Sequence, residues 1–184
     1  FRETGRQLAY FGLPVVALSL FQFYWTADEA DAREKMVELF PDLPGAHNNL
    51  GVFYARLGDW EKATGEYRRA IELDESTYEA HKNLGLVYAK QGLLEEAHEH
   101  YQMAIDSKPK YVEALNSQGL IFMQRGELEK AQRRFIEALA EFEYAPAYNN
   151  LGTAYLREES FIAAIRAYKK AVALDEGNAV HYFN

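Results

Sequence analysis

Hydrophobic positions follow two patterns along this chain. The first is Leu8–Trp25, LAYFGLPVVALSLFQFYW, 18 residues without a charge. The second begins near residue 44, where small, apolar and aromatic residues recur among charged ones at a fixed long period. The first run has no polar stripe, as lipid or complete burial requires. As a helix it would be roughly 27 Å long, close to a hydrocarbon core of about 30 Å. Tyr10 near one end and Tyr24 and Trp25 at the other put amphipathic rings where headgroups would lie. We read residues 1–25 as a membrane-anchor helix in contact with lipid through 8–25. A helix buried against protein and an uncleaved signal or re-entrant segment are the alternatives. Arg2 and Arg6 precede the run, while Asp28, Glu29 and Asp31 follow it. That asymmetry predicts a single-pass membrane protein with the later residues on the non-cytoplasmic, periplasmic or luminal side.

The second pattern is an internal repeat. Ala46-His-Asn-Asn-Leu-Gly51, Ala80-His-Lys-Asn-Leu-Gly85, Ala114-Leu-Asn-Ser-Gln-Gly119 and Ala147-Tyr-Asn-Asn-Leu-Gly152 are spaced by 34, 34 and 33 residues. An aromatic follows each glycine by three residues (Tyr54, Tyr88, Phe122, Tyr155), and an alanine follows by twelve (Ala63, Ala97, Ala131, Ala164). Further aromatics stand at Tyr67, Tyr101, Phe135 and Tyr168, and further alanines at Ala70, Ala104, Ala138 and Ala171. Each unit predicts two antiparallel helices joined at Gly58, Gly92 or Gly126, where glycine supplies a left-handed C-cap. Small residues such as Gly51 and Ala63 let the two helices approach closely, and Tyr54 and Tyr67 are expected to fill the space between repeats. Asp59 and Ser160 are expected N-caps, and Ser76 with Glu79 reads as a capping box. The units fall at 44–77, 78–111, 112–144 and 145–178. Residues 26–43 form a linker or degenerate capping helix, and 179–184 begin a fifth unit. Two departures stand out: Gln118 replaces an expected leucine, and Glu159 replaces the turn glycine.

These positions resemble the tetratricopeptide repeat family. The resemblance implies an all-α, right-handed superhelical solenoid of antiparallel helix pairs, here with the N-terminal apolar helix in front. It also implies a concave face lined by the first helix of each pair. The residue before each Leu-Gly lies on that face in the family, which selects Asn49, Asn83, Ser117 and Asn150. Two helical turns further come Arg56, Lys90, Gln124 and Arg157. Lys82, Asn116 and Asn149 stand one residue ahead of the first set. The candidate groove is therefore Asn49, Arg56, Lys82, Asn83, Lys90, Asn116, Asn149, Asn150 and Arg157. An asparagine side chain offers a donor and an acceptor, so a row of them can hold the backbone of an extended peptide, while the bases favour acidic groups. The row is similar to that in the repeat domain of O-GlcNAc transferases. It differs from the carboxylate-clamp repeats, since Val52 stands where a clamp needs asparagine. The other reading is that these asparagines bond neighbouring helices.

Composition narrows the function. With 28 acids against 20 bases, the formal charge of -8 argues against a nucleic-acid partner, which demands basic surface. The chain has no cysteine, so disulfides, thiolate metal sites and cysteine nucleophiles are excluded. His47 and His81 occupy equivalent repeat positions and are expected to pack in the core. His98 and His100 are two apart on one helix, about 200° around it, and do not converge on a metal. No phosphate loop, Ser–His–Asp set or paired glycosidase carboxylates appears. No cofactor, metal or catalytic residue is expected. The favoured function is a membrane-anchored, non-enzymatic scaffold binding extended or acidic segments of other proteins. The alternatives are a structural or assembly subunit of a membrane complex, and an enzyme with its catalytic domain past residue 184.

Overall fold

A computed structural model describes residues 29–182. Among them nine helices and no strand are formed. The chain divides between Leu73 and Asp74 into two compact units. The first holds α1 (Glu29–Leu39), α2 (Pro44–Arg56) and α3 (Trp60–Leu73). The second holds α4 (Tyr78–Lys90), α5 (Leu94–Ser107), α6 (Val112–Gln124), α7 (Leu128–Glu141), α8 (Ala145–Arg157) and α9 (Phe161–Tyr182).

The helices form because their apolar residues follow a helical period. On α7, Ala131, Phe135 and Ala138 are buried at i, i+4 and i+7, while Glu129, Lys130 and Arg133 of the same helix stay outside. Starts and stops are equally local. Pro44 and Pro146 sit in the first turns of α2 and α8, where a missing N–H costs nothing. The Asp59 carboxylate accepts the Lys62 N–H at 3.1 Å at the start of α3. Ser160 contributes its backbone carbonyl, to the Ala164 N–H at 3.0 Å. The expected capping box at α4 does not form. The Ser76 hydroxyl and N–H instead donate to the Asp74 carboxylate at 2.7 and 2.9 Å, and both bonds hold that carboxyl below its usual range. Asp74 lies two residues from Ser76 against three for Glu79, and the N-cap of α4 is Thr77, so the short local turn wins.

All four helix pairs turn by one device. Gly58, Gly92 and Gly126 have φ of 79°, 79° and 76°, and Glu159 takes their place at 60°. The following N–H then closes on a carbonyl of the first helix's aromatic: Asp59 on Tyr54, Leu93 on Tyr88, Glu127 on Phe122, Ser160 on Tyr155, at 2.9–3.0 Å. Glu159 pays the left-handed penalty that glycine avoids. Glu159→Gly is therefore expected to raise the unfolding free energy by about 0.5–1 kcal/mol, the gain being partly offset by a freer unfolded chain. Urea unfolding of both proteins measures it. A variant no more stable than the parent would mean that the Glu159 side chain compensates the strain.

Close approach within each pair rests on the repeated glycine. A Cβ at Gly85 would lie 2.9 Å from the Tyr101 ring, at Gly119 2.5 Å from Phe135, and at Gly152 2.9 Å from Tyr168. In the first unit a Cβ at Gly51 would lie 2.6 Å from Tyr67 and 3.2 Å from the Ala63 carbonyl. Tyr67 thus seats on the glycine of its own pair, where the sequence reading put it between repeats. Its burial pushes the phenol up to about 12. Tyr54 does reach the preceding helix, donating to Glu34 of α1 at 2.8 Å.

In the second unit buried clusters span successive pairs. Ala104 and Ile105 of α5 cluster with Tyr111, Ala114 and Leu115, and the cluster continues into Ala138 and Ala147. Phe122 and Phe135 cluster with Leu151 and Ala154 of the next pair. Gln118, at 0% exposure, points into this packing. Its Nε2 donates to Gln102 Oε1 at 3.0 Å, while its own Oε1 is buried with no hydrogen-bond partner.

The single-pass membrane placement drawn from the sequence is corrected here. Among the described residues no helix is long and apolar enough to cross a membrane. The longest, α9, has 22 residues but carries Arg166, Lys169, Lys170 and Asp175, whose transfer into hydrocarbon is prohibitive. The apolar run 8–25 on which the placement rested lies outside the described residues. The periplasmic or luminal assignment falls with it. α9 also runs through residue 178, where the sequence reading set a unit boundary.

Candidate partner-binding groove

The first helices of the second unit, α4, α6 and α8, are laid side by side, each touching the next. Seven of the nine groove candidates lie on these three helices, and their settings differ. Asn116 is buried on α6, and its Oδ1 accepts a hydrogen bond from Asn150 Nδ2 on α8 at 2.9 Å. Asn149 is exposed, and its carbonyl accepts the Thr153 hydroxyl at 3.0 Å. That hydroxyl also meets the Tyr168 hydroxyl at 3.1 Å. Asn83 is 8% exposed on α4, and Lys82 beside it is half-buried. Desolvation pulls the Lys82 ammonium below its usual range, while Glu113 and Glu79 nearby oppose the shift. Lys90 is exposed at the end of α4.

Arg157 has a different occupation from the expected one. Its Nη1 donates to the Met123 carbonyl at 3.0 Å, capping the last turn of the neighbouring α6. Asn49 and Arg56 are both exposed on α2, in the first compact unit. Ser117, the residue in register with Asn83, is hydrogen-bonded to the buried Tyr101, whose phenol desolvation pushes up to about 12. The structure therefore links Asn116 with Asn150, where the repeat register had singled out the series 83, 117 and 150. Within that pair the two Asn116 amide N–H groups and the Asn150 Oδ1 are not used by the bond. Between Asn83 and Lys90, on the same side of α4, Leu86 is 45% exposed.

His47 and His81 are buried in the core. In the first unit His47 Nδ1 lies 2.7 Å from the Glu66 carboxylate and Nε2 2.9 Å from the Pro41 carbonyl. In the second, His81 Nε2 lies 3.2 Å from the Glu75 carbonyl and Nδ1 lies 3.1 Å from Nδ1 of His100. Burial lowers the His81 pKa, against a smaller raising effect of Glu75. His100 meets His81 across the pair and not His98 on its own helix, a contact that the spacing of His98 and His100 does not signal. Among the described residues no group of three or more possible metal ligands converges.

Two matches to tetratricopeptide repeat models cover residues 42–110 and 116–179. The chain belongs to the tetratricopeptide repeat family. Tetratricopeptide repeats serve as protein-interaction scaffolds, and the chain is one by this membership. Among solved structures it is similar to MamA, at 24% identity and a TM-score of 0.70 over 82% of this chain and 88% of that one. It is similar to pilF of Pseudomonas aeruginosa at 27% identity, with a TM-score of 0.69 over 72% of this chain and 61% of that one. Cut9–Hcn1 of the APC/C aligns at 23% identity and a TM-score of 0.72, over 79% of this chain but 29% of that one. These likenesses carry the helical-repeat fold. No curated protein sequence matches the chain.

Proposed function

We propose that this tetratricopeptide scaffold holds an extended segment of a partner protein along the α4–α6–α8 row. The observation carrying the reading is the Asn116–Asn150 bond. It fixes two amides on adjacent first helices and leaves a donor and an acceptor to pair with a passing peptide backbone. Exposed Leu86 adds an apolar contact, and Lys90 an exposed cation for an acidic side chain. Lys82 is already balanced by Glu79 and Glu113, so it contributes less to an acidic ligand than its position in the repeat suggests. Arg157 acts through α6, whose C-terminal turn it caps.

The test uses a photo-crosslinking residue at Leu86 to trap the segment, followed by affinity measurement with the trapped peptide. A neutral hydrogen bond contributes about 0.5–1.5 kcal/mol, so Asn116→Ala should weaken binding roughly 2- to 12-fold. Lys90→Glu should weaken it further and reduce its salt sensitivity. If Asn116→Ala lowers the melting temperature while folded molecules keep full affinity, the asparagines serve only to join the helices, and the groove reading fails.

A further inference from the structure

In the first three helix pairs, the aromatic near the end of the first helix is covered by a side chain of its own second helix. Lys62 Nζ lies 5.0 Å over the Tyr54 ring. His100 stacks on Tyr88 with centroids 5.4 Å apart. Lys130 Nζ lies 5.6 Å over Phe122. The repeat register carries the two covering positions, Lys130 and its neighbour one turn on, Arg134, to Ala163 and Ala167 of α9. Neither alanine is long enough to cover Tyr155. A cleft of about 730 Å³ opens there, floored by Tyr148, Leu151 and Tyr155 and walled by Phe161 and Ile162.

Charge changes at the same place. Glu61, Glu95 and Glu129 occupy one position of α3, α5 and α7, and Ile162 replaces them on α9, 71% exposed. The Glu95 and Glu129 side chains remain 76% and 84% exposed although another pair follows each. Stacking of a further pair therefore does not explain an isoleucine there. Arg133 pairs with Glu129 at 3.6 Å, one turn away on α7. Arg166 keeps the place of Arg133, but Ile162 has taken the glutamate's, and no ion pair of Arg166 exists among the described residues. It lines the cleft with Lys170, already paired with Glu143 at 3.3 Å, and with Glu159, which makes no ion pair with Arg166 among the described residues. The cleft is separate from the Ile165 side of α9, whose counterpart on α5, His98, packs against Phe122 of α6.

We propose that this cleft is a second docking site, which seats a bulky apolar side chain of a partner protein and pairs an adjacent carboxylate of that partner with Arg166. An apolar floor favours a buried ring or branched aliphatic group. A cation at its edge, outside any ion pair among the described residues, selects the acid beside it. The helical register puts Tyr148, Leu151 and Tyr155 on the opposite face of α8 from Asn149, Asn150 and Thr153. The site is thus independent of the proposed groove, and one partner could engage both faces.

The probe is a synthetic amphipathic peptide rich in Leu, Phe and Glu, compared with a matched peptide carrying Lys for Glu. Binding is followed by amide shifts of the isotope-labelled chain. The acidic peptide should move resonances of residues 148–155 and 161–170. Arg166→Glu should weaken it by at least about tenfold and turn the preference toward the lysine peptide. A triple variant, Ile162→Glu, Ala163→Lys and Ala167→Arg, restores residues that α7 already carries there, and should fold yet bind neither peptide. Should it not fold, the exposed Arg166→Glu change decides alone. Asn116→Ala should leave this binding unchanged, which separates the site from the groove. The proposal is overturned if the acidic peptide produces no shifts at the cleft, if the lysine peptide binds the parent equally well, or if the filled variant binds undiminished. It is also overturned if sedimentation shows the parent to be a dimer and the filled variant a monomer, since a second copy then occupies the cleft.

Discussion

Phe135→Ala is expected to destabilise the protein by about 3–5 kcal/mol, the range for truncating a buried phenylalanine. Phe135 has 0% exposure on α7 and belongs to the cluster that also contains Phe122, Leu151 and Ala154. Its ring lies against Gly119, where an added Cβ would come within 2.5 Å of it. Truncation removes the apolar area and leaves a hole that neither helix can close, because Ala131 and Ala138 already bring them together. Denaturant unfolding followed by circular dichroism measures the loss. A cost below about 1.5 kcal/mol would mean that the pair collapses onto the vacancy, and that its spacing is not set by this ring.

The second large effect comes from the same contact, reached from the other side. Gly119→Ala should gain about 1 kcal/mol of helix propensity in a mid-helix position. The new methyl, however, meets Phe135 Cε1 at 2.5 Å, Cδ1 at 2.8 Å and Cζ at 2.9 Å. A ring enclosed on all sides cannot swing away, so the pair must part, and overpacking of this kind costs about 1–3 kcal/mol. The expected net result is a loss of up to about 2 kcal/mol, opposite in sign to the same substitution on an exposed helix. Phe135→Leu in the Gly119→Ala background should recover part of the loss, giving a non-additive double-mutant cycle. Simple additivity would show that the two residues do not press on each other.

Gly119 and Phe135 were both legible in the sequence, and the reason is geometric. Two helices packed at close range need a small residue at the crossing and a ring to fill the space beside it. A repeat protein meets that need once per unit at a fixed spacing. The turn residues were legible on the same ground: a left-handed backbone is required after each first helix, and glycine supplies it three times. Glu159 shows the limit, since the required φ persists where the residue that signals it has gone. The apolar run at 8–25 lies outside the described residues, and among those no helix is long and apolar enough to cross a membrane.

The groove was less legible. Register selected Asn83, Ser117 and Asn150 as one series, whereas the structure pairs Asn150 with Asn116. Which of two adjacent residues on a helix faces its neighbour depends on the rotation and offset of the two helices. Those are set by the whole interface, including the shorter third repeat. Arg157 looked like a groove cation for the same reason, and became a cap only because the end of α6 comes within 3.0 Å of its guanidinium. Ser76 and Glu79 had the spacing of a capping box, but Asp74 bonds Ser76 at shorter range.

By itself, then, the sequence determined the helix pairs, their turns and the crossing points within each pair, because these follow from residues close along the chain or repeated at a constant interval. Tertiary structure decided which polar side chains meet across helices, which cation is used as a cap, and where Tyr155 is left uncovered. Those outcomes depend on groups on different helices. The cover of one ring is set by Ala163 and Ala167 on another helix, and the pairing of one amide by the packing of two neighbouring helices. Local pattern holds the backbone to a small set of conformations, while the match between side chains is settled only when the elements are in contact.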